Sequence, residues 1–115
     1  MNIKRIYVAG PMTGIKKFNF PAFHEAADKL RAAGHVVFDP AENEEQIFGE
    51  GFNRSEHGDL NDIPQFKYRE ALAKDLEYIC EQATAIAMLP GWETSKGANA
   101  ELAVAKAIGL EVIYL

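Results

Sequence analysis

Four short apolar runs, separated by longer stretches with helical spacing, limit the folds open to this chain more than any other feature. The runs are residues 4–9 (KRIYVA), 35–38 (HVVF), 85–89 (AIAML) and 111–115 (EVIYL). The first three stop at Gly10-Pro11, Asp39-Pro40 and Pro90-Gly91, as strands do. They are mostly apolar rather than alternating, which suits strands of a parallel sheet covered on both faces. After the first run, Phe23, Ala27, Leu30 and Ala33 form a stripe at helical spacing, with Asn19 the expected N-cap, Pro21 in the first turn and Gly34 the stop. Residues 66–82 carry Tyr68, Leu72, Leu76 and Ile79 on one stripe, and residues 98–108 carry Ala98, Leu102, Ala105 and Ile108 on another. The pattern is β-α-β-α-β-α-β. It predicts an α/β three-layer sandwich with a small parallel sheet, right-handed crossovers and strand order 2-1-3-4.

At 115 residues the chain reads as one domain, 1–115. Residues 42–65 show no sustained period and contain Gly49, Gly51, Gly58 and Pro64. The expectation there is a long loop over 43–66, either a lid or a solvated insertion. The net charge of −5 argues against a binder of nucleic-acid backbones. A single cysteine, Cys80, excludes a disulfide frame and a cysteine metal cluster, and fits a reducing cytoplasm; beside Ile79 it is expected to be buried and inert. His24, His35 and His57 lack metal-ligand spacing and read as surface or strand-edge residues. No run approaches a membrane span or a signal peptide.

Two carboxylates fall in the wrong stripes. Asp75 lies three after Leu72 and four before Ile79; Glu101 lies three after Ala98 and four before Ala105. A buried carboxylate needs a partner, a proton or a water-filled cleft. Both helices flank the third strand, so their inward faces can converge near its carboxyl end, beside Tyr7. A facing carboxyl pair is the equipment of glycosidic-bond chemistry, one group attacking the anomeric carbon and the other handling protons. Glu101, near a helix start, is expected to be kept ionised by the helix dipole, and Asp75 to move a proton or bind a base. The bland alternative is an edge position, paired with Arg69 or Lys106.

The turn 89–101 (LPGWETSKGANAE) runs from strand to helix at the end of the sheet where α/β proteins bind ligands, and its helix start suits an anion. Ser95 and Thr94 read either as N-caps or as ligand groups. Trp92 reads as an exposed stacking surface or as an aromatic folded onto the core, and Tyr7 as a packed strand aromatic unless the carboxylates use it. Residues 10–14 (GPMTG) are neither G-x-G-x-x-G nor a P-loop.

Taken together, residues 6–14, 19–23, 39–42, Asp75-Leu76, Pro90-Gly91-Trp92-Glu93, Ser95-Lys96-Gly97-Ala98 and Glu101 resemble a family of small phage and prophage proteins. That family is similar to the nucleoside 2-deoxyribosyltransferase superfamily, which includes 2'-deoxynucleoside 5'-phosphate N-hydrolases. The resemblance implies a flavodoxin-like fold and action on the N-glycosidic bond of a 2'-deoxynucleoside or its 5'-monophosphate, by transfer or hydrolysis. It implies Glu101 as nucleophile, Tyr7 orienting it, Asp75 assisting at base or sugar, and Ser95 at a 5'-phosphate. Gly10, Pro11, Met12, Asp39, Trp92 and Gly97 complete the implied substrate-binding set. No metal or organic cofactor is implied, and a homo-oligomer is. Pro11 and Thr13 stand where the hydrolases carry a serine and an arginine, which is closer to the transferases. The rival expectation is a non-catalytic nucleotide-binding or sensing module on the same fold.

Overall fold

The computed structural model describes residues 2–115. Four strands, β1 (Arg5–Ala9), β2 (Val36–Phe38), β3 (Ala85–Met88) and β4 (Glu111–Tyr114), form one sheet in the order β2-β1-β3-β4. All three pairings are parallel, with Tyr7 level with Phe38 on one side and Ile86 on the other. The expected α/β three-layer architecture and strand order are therefore observed. Side chains alternate across the sheet. Tyr7, Ala9, Ile86 and Met88 face α3 (Tyr68–Glu81) and α4 (Lys96–Ala107), packing on Ile79, Ala98, Leu102 and Ala105. Val8, on the opposite face, packs with Phe23, Ala26 and Ala27 of α1 (Phe20–Ala32). No helix among the described residues is long and apolar enough to cross a membrane.

The chain runs outward from β1 to β2 on one side and from β3 to β4 on the other, so the sheet switches direction between β1 and β3. Gly10 permits close approach at that point, because a Cβ there would meet the Leu89 side chain at 2.7 Å. The entrance to α1 differs from expectation. Lys17, Phe18 and Asn19 have φ of 56°, 52° and 62°, a left-handed turn that sends both Phe18 and Phe20 into the core. Asn19, which tolerates this conformation, does not cap the helix; its Nδ2 donates to the Pro11 carbonyl at 3.0 Å.

The segment expected as a loop over 43–66 has structure of its own. It opens with α2 (Pro40–Phe48), capped by Asp39, whose side chain accepts from the Ala41 N–H at 2.8 Å. Two 3-10 turns, Glu50–Arg54 and Leu60–Asp62, follow. Phe52 and Ile63 are fully buried, and Phe52 stacks on Phe20 with centroids 4.9 Å apart. The Gly14 N–H donates to the Gly58 carbonyl at 2.9 Å and the Lys17 N–H to the Ser55 carbonyl at 2.7 Å, so this segment is tied to the first turn as a wall. The helical period of α2 is hidden because Glu44 occupies its inward position between Ala41 and Phe48. Phe66 packs on Phe48 and Phe52 instead of starting α3, which begins at Tyr68. Cys80, expected to be buried, is exposed, because Ile79 takes the inward position beside it.

Candidate active site

A cavity of about 680 Å³ opens at the carboxyl end of the sheet, where the turns after β1 and β3 meet α2, α3 and the start of α4. Its size is that of a small-molecule site. Tyr7, Asp75 and Glu101 line it together, as the stripe argument required. Tyr7 comes from the centre of β1, Asp75 from the second turn of α3 and Glu101 from the second turn of α4. Each is buried: Tyr7 at 1%, Asp75 at 7% and Glu101 at 6% exposure. The Tyr7 hydroxyl donates to Glu101 Oε2 at 2.5 Å. Stacking on Phe38, centroids 5.5 Å apart, fixes the plane of the Tyr7 ring.

The electrostatics of the pair differ from the expected dipole-stabilised carboxylate. Glu101 is five residues beyond the first residue of α4, past the turn where the helix dipole is felt. Burial, followed by the charge of Asp75, pushes its pKa well above the usual carboxylate range. Burial also raises Asp75 to about 6, partly offset by hydrogen bonding to Tyr7 and Glu101. Burial and the two neighbouring acids hold Tyr7 far above its ordinary value, so its hydroxyl remains a donor. Each carboxyl group shifts the other, so the two titrate as a pair rather than singly. The causes of the two shifts are burial, the Tyr7 hydroxyl and the neighbouring acids.

Gly10, Pro11, Met12, Ser95 and Gly97 of the expected substrate-binding set also line the cavity. Ser95 is the N-cap of α4 as well, its Oγ accepting from the Ala98 N–H at 3.1 Å. Asn99 Nδ2 donates to the Ser95 carbonyl at 2.8 Å and to the Glu93 carbonyl at 3.0 Å, bracing this turn. Asp39 and Trp92 are not part of the lining. Asp39 is consumed as the α2 cap and by His24, whose Nδ1 lies 2.7 Å from its Oδ2. Trp92 folds back toward the far edge of the sheet, against Tyr114 with centroids 6.0 Å apart, because the 3-10 turn Trp92–Thr94 rotates it away from the cleft.

Sequence reasoning missed Glu44, Tyr68 and the aromatic wall made by Phe18, Phe23, Phe52 and Phe66. Tyr68 reaches over the start of α4, where a Cβ on Gly97 would meet its hydroxyl at 2.9 Å. The available signal for Glu44 was Asp39-Pro40, a cap followed by a proline at N1, with Ala41, Glu44 and Phe48 spaced on one helix face.

Outside the cavity, His24 is not the isolated surface residue expected. It is half-buried, with Nε2 also 2.8 Å from Glu45 Oε1. His24, Asp39 and Glu42 bring potential ligand atoms within 4.8 Å of one another. Those atoms are already engaged: both imidazole nitrogens face carboxylates, and both Glu42 oxygens accept from Arg31 at 2.8 and 2.7 Å. Comparison with curated proteins gives no match. The model of a family described as a domain of unknown function (DUF4406) matches residues 4–114, nearly the whole chain, and the protein belongs to that family.

Proposed function

We propose that the protein cleaves or transfers at the N-glycosidic bond of a 2'-deoxynucleoside or its 5'-monophosphate, with Glu101 as the nucleophile, in keeping with the resemblance to the nucleoside 2-deoxyribosyltransferase superfamily. The observation that carries this reading is the buried pair Asp75 and Glu101 lining one cavity, with the Tyr7 hydroxyl aimed at Glu101. Glu101, as carboxylate, attacks C1'. The C1'–N bond breaks, a C1'–O ester forms, and the proton of the acid pair passes through Asp75 to the leaving base. Positive charge developing on the sugar favours the ionised form of Glu101 at that moment, and the Tyr7 O–H steadies it. Water, deprotonated by Asp75, then opens the ester to give hydrolysis; a second base in its place gives transfer.

Ser95, Gly97 and the start of α4 suit the 5' end of such a ligand, with Lys96 at the rim as the available cation for a phosphate. The substrate is then a small nucleoside or nucleotide in the cytoplasm. A homo-oligomer would cover the outer edge of β4, where Tyr114 and Leu115 are exposed.

The burial that disfavours ionised Glu101 also favours a second reading, a nucleotide-sensing module that binds without reacting. One experiment separates them. The protein is incubated with deoxynucleosides and their monophosphates, with and without free base, and base release is followed. Turnover that Glu101→Gln abolishes is the expected result. Binding without turnover supports the sensor. Full turnover by Glu101→Gln overturns the nucleophile.

A further inference from the structure

Glu44 is the third carboxyl group of the cavity, and the chemistry above does not use it. It projects from the inward face of α2, is 5% exposed, and lines the cavity shared with Asp75 and Glu101. Its Oε2 is the buried side-chain oxygen that finds no hydrogen-bond partner among the described residues. Native proteins rarely leave such a group orphaned unless a ligand or water completes it. We propose that Glu44 is a specificity-determining residue of this cavity, exchanging two hydrogen bonds with one ring edge of the ligand that carries a donor beside an acceptor. This rests on the nucleoside reading and adds to it what selects the base.

The geometry fits such an edge. Burial, then the charges of Asp75 and Asp39, push the Glu44 carboxyl up to about 8, so near neutral pH it is the acid, which gives one hydrogen bond and takes another. The groups around it maintain this. Asp39 lies at the start of its own helix, Asp75 and Tyr68 face it from α3, and Glu101 from α4. Lys67, Glu70 and Lys74 lie with it around a second, smaller pocket of about 170 Å³. A neutral carboxyl matches the N–H and C=O of a lactam edge or the ring N and NH₂ of an amidine edge. An ionised carboxylate only accepts, mismatches these two edges, and suits instead the paired donors of guanine, the ring N–H beside its NH₂.

The test is equilibrium binding by calorimetry of the four common 2'-deoxynucleosides and the free bases. The best-bound compound is then compared with an analogue methylated on the ring N–H, or lacking the ring N, of that edge. Glu44→Gln keeps a donor and an acceptor and cannot ionise; Glu44→Leu keeps neither. At pH 7 Glu44→Gln binds within about threefold of wild type, and Glu44→Leu at least about tenfold more weakly, the effect of losing hydrogen bonds in a desolvated site. The edge analogue loses about tenfold on wild type and nothing further on Glu44→Leu. Between pH 7 and 9 the wild type weakens and Glu44→Gln does not. If Glu44→Leu does not fold, the pH dependence of Glu44→Gln against wild type decides. Equal binding by wild type and Glu44→Leu, equal discrimination of the analogue, a pH dependence unchanged in Glu44→Gln, or no binding of any nucleoside or base overturns the proposal. Turnover that needs Glu101 but is indifferent to Glu44 removes this inference alone. Glu44-dependent binding of free bases without cleavage of any nucleoside removes the reaction and leaves Glu44.

Discussion

The molecule holds two groups of three acids, and they are treated in opposite ways. On the outer side of α1 and α2, each acid has a cation. Asp39 and Glu45 sit on the two nitrogens of His24, and Glu42 is gripped by Arg31. In the cavity, Asp75, Glu101 and Glu44 face one another, with the Tyr7 phenol on Glu101. The consequences follow. Hydrogen bonding to Arg31 lowers the pKa of Glu42. Burial works against the charged form of His24, but its bonds to Glu45 and Asp39 outweigh this and raise its pKa. Burial still raises Asp39 despite His24. Inside, all three acids are pushed up, by burial before anything else. Compensated charge stiffens a structure; uncompensated buried charge destabilises it and is retained where a site needs it.

The largest break in this contrast comes from Asp75→Asn. The variant folds and loses about a hundredfold to ten-thousandfold in kcat for base release, the range for a removed proton-transfer group. Its stability changes with the opposite sign. Asp75 has a folded pKa of about 6, above its ordinary 3.8, so the native state holds the proton more tightly than the unfolded chain. Its contribution is present below about pH 4 and is lost as pH rises through about 6. Denaturant titrations at pH 4, 6 and 8 therefore show wild type losing stability across this window and Asp75→Asn losing less. A variant destabilised at pH 8 by the same margin as at pH 4 would put Asp75 with the compensated acids.

The outer group gives a smaller effect on stability and none on chemistry. His24→Ala leaves Asp39, whose side chain is wholly buried, without its cation. The cost is about 1–2 kcal/mol, held down because His24 is one-third exposed. The pH dependence runs as its raised pKa requires. The stabilisation is full below about pH 6.5 and disappears as pH climbs through the higher folded value. Melting curves of wild type and His24→Ala at pH 5.5 and 9 therefore differ at the lower pH and converge toward the Asp39 capping contribution at the higher. Ligand affinity in the cavity stays unchanged, which calorimetry with the best-bound nucleoside checks.

Legibility in the sequence followed the same division. The sheet order was readable because short apolar runs set the strands and the crossover rule leaves few arrangements. Asp75 and Glu101 were readable because each interrupts a long stripe whose period is otherwise intact. Glu44 breaks a stripe too, but α2 has nine residues, too few for the period to survive one exception. The aromatic wall was invisible because Phe18, Phe52 and Phe66 come from turns, where burial follows tertiary packing and no local period. Asp39 joined the expected substrate-binding set because a cap and a ligand group use the same residue types; in the structure it caps α2 and meets His24. The ionisation of Glu101 was misread because a dipole argument sees position along a helix and not depth of burial.

The smallest expected effect concerns Trp92, and its value lies in drawing the cavity's border. An aromatic that stacks on a base contributes about 1–3 kcal/mol on truncation, which would appear as a loss of affinity of fivefold or more. Trp92 instead rests on Tyr114 beside β4, half-buried and outside the lining. Trp92→Leu therefore changes KM or nucleoside affinity by less than about twofold, while the lost packing costs about 1 kcal/mol of stability. Phe66→Leu is the matched control, because that ring does line the cavity and should move affinity. If Trp92→Leu weakens binding and Phe66→Leu does not, the base lies over the turn after β3 rather than against the aromatic wall. The carboxyl group of Glu44, on the α2 side, would then be facing the wrong end of the ligand.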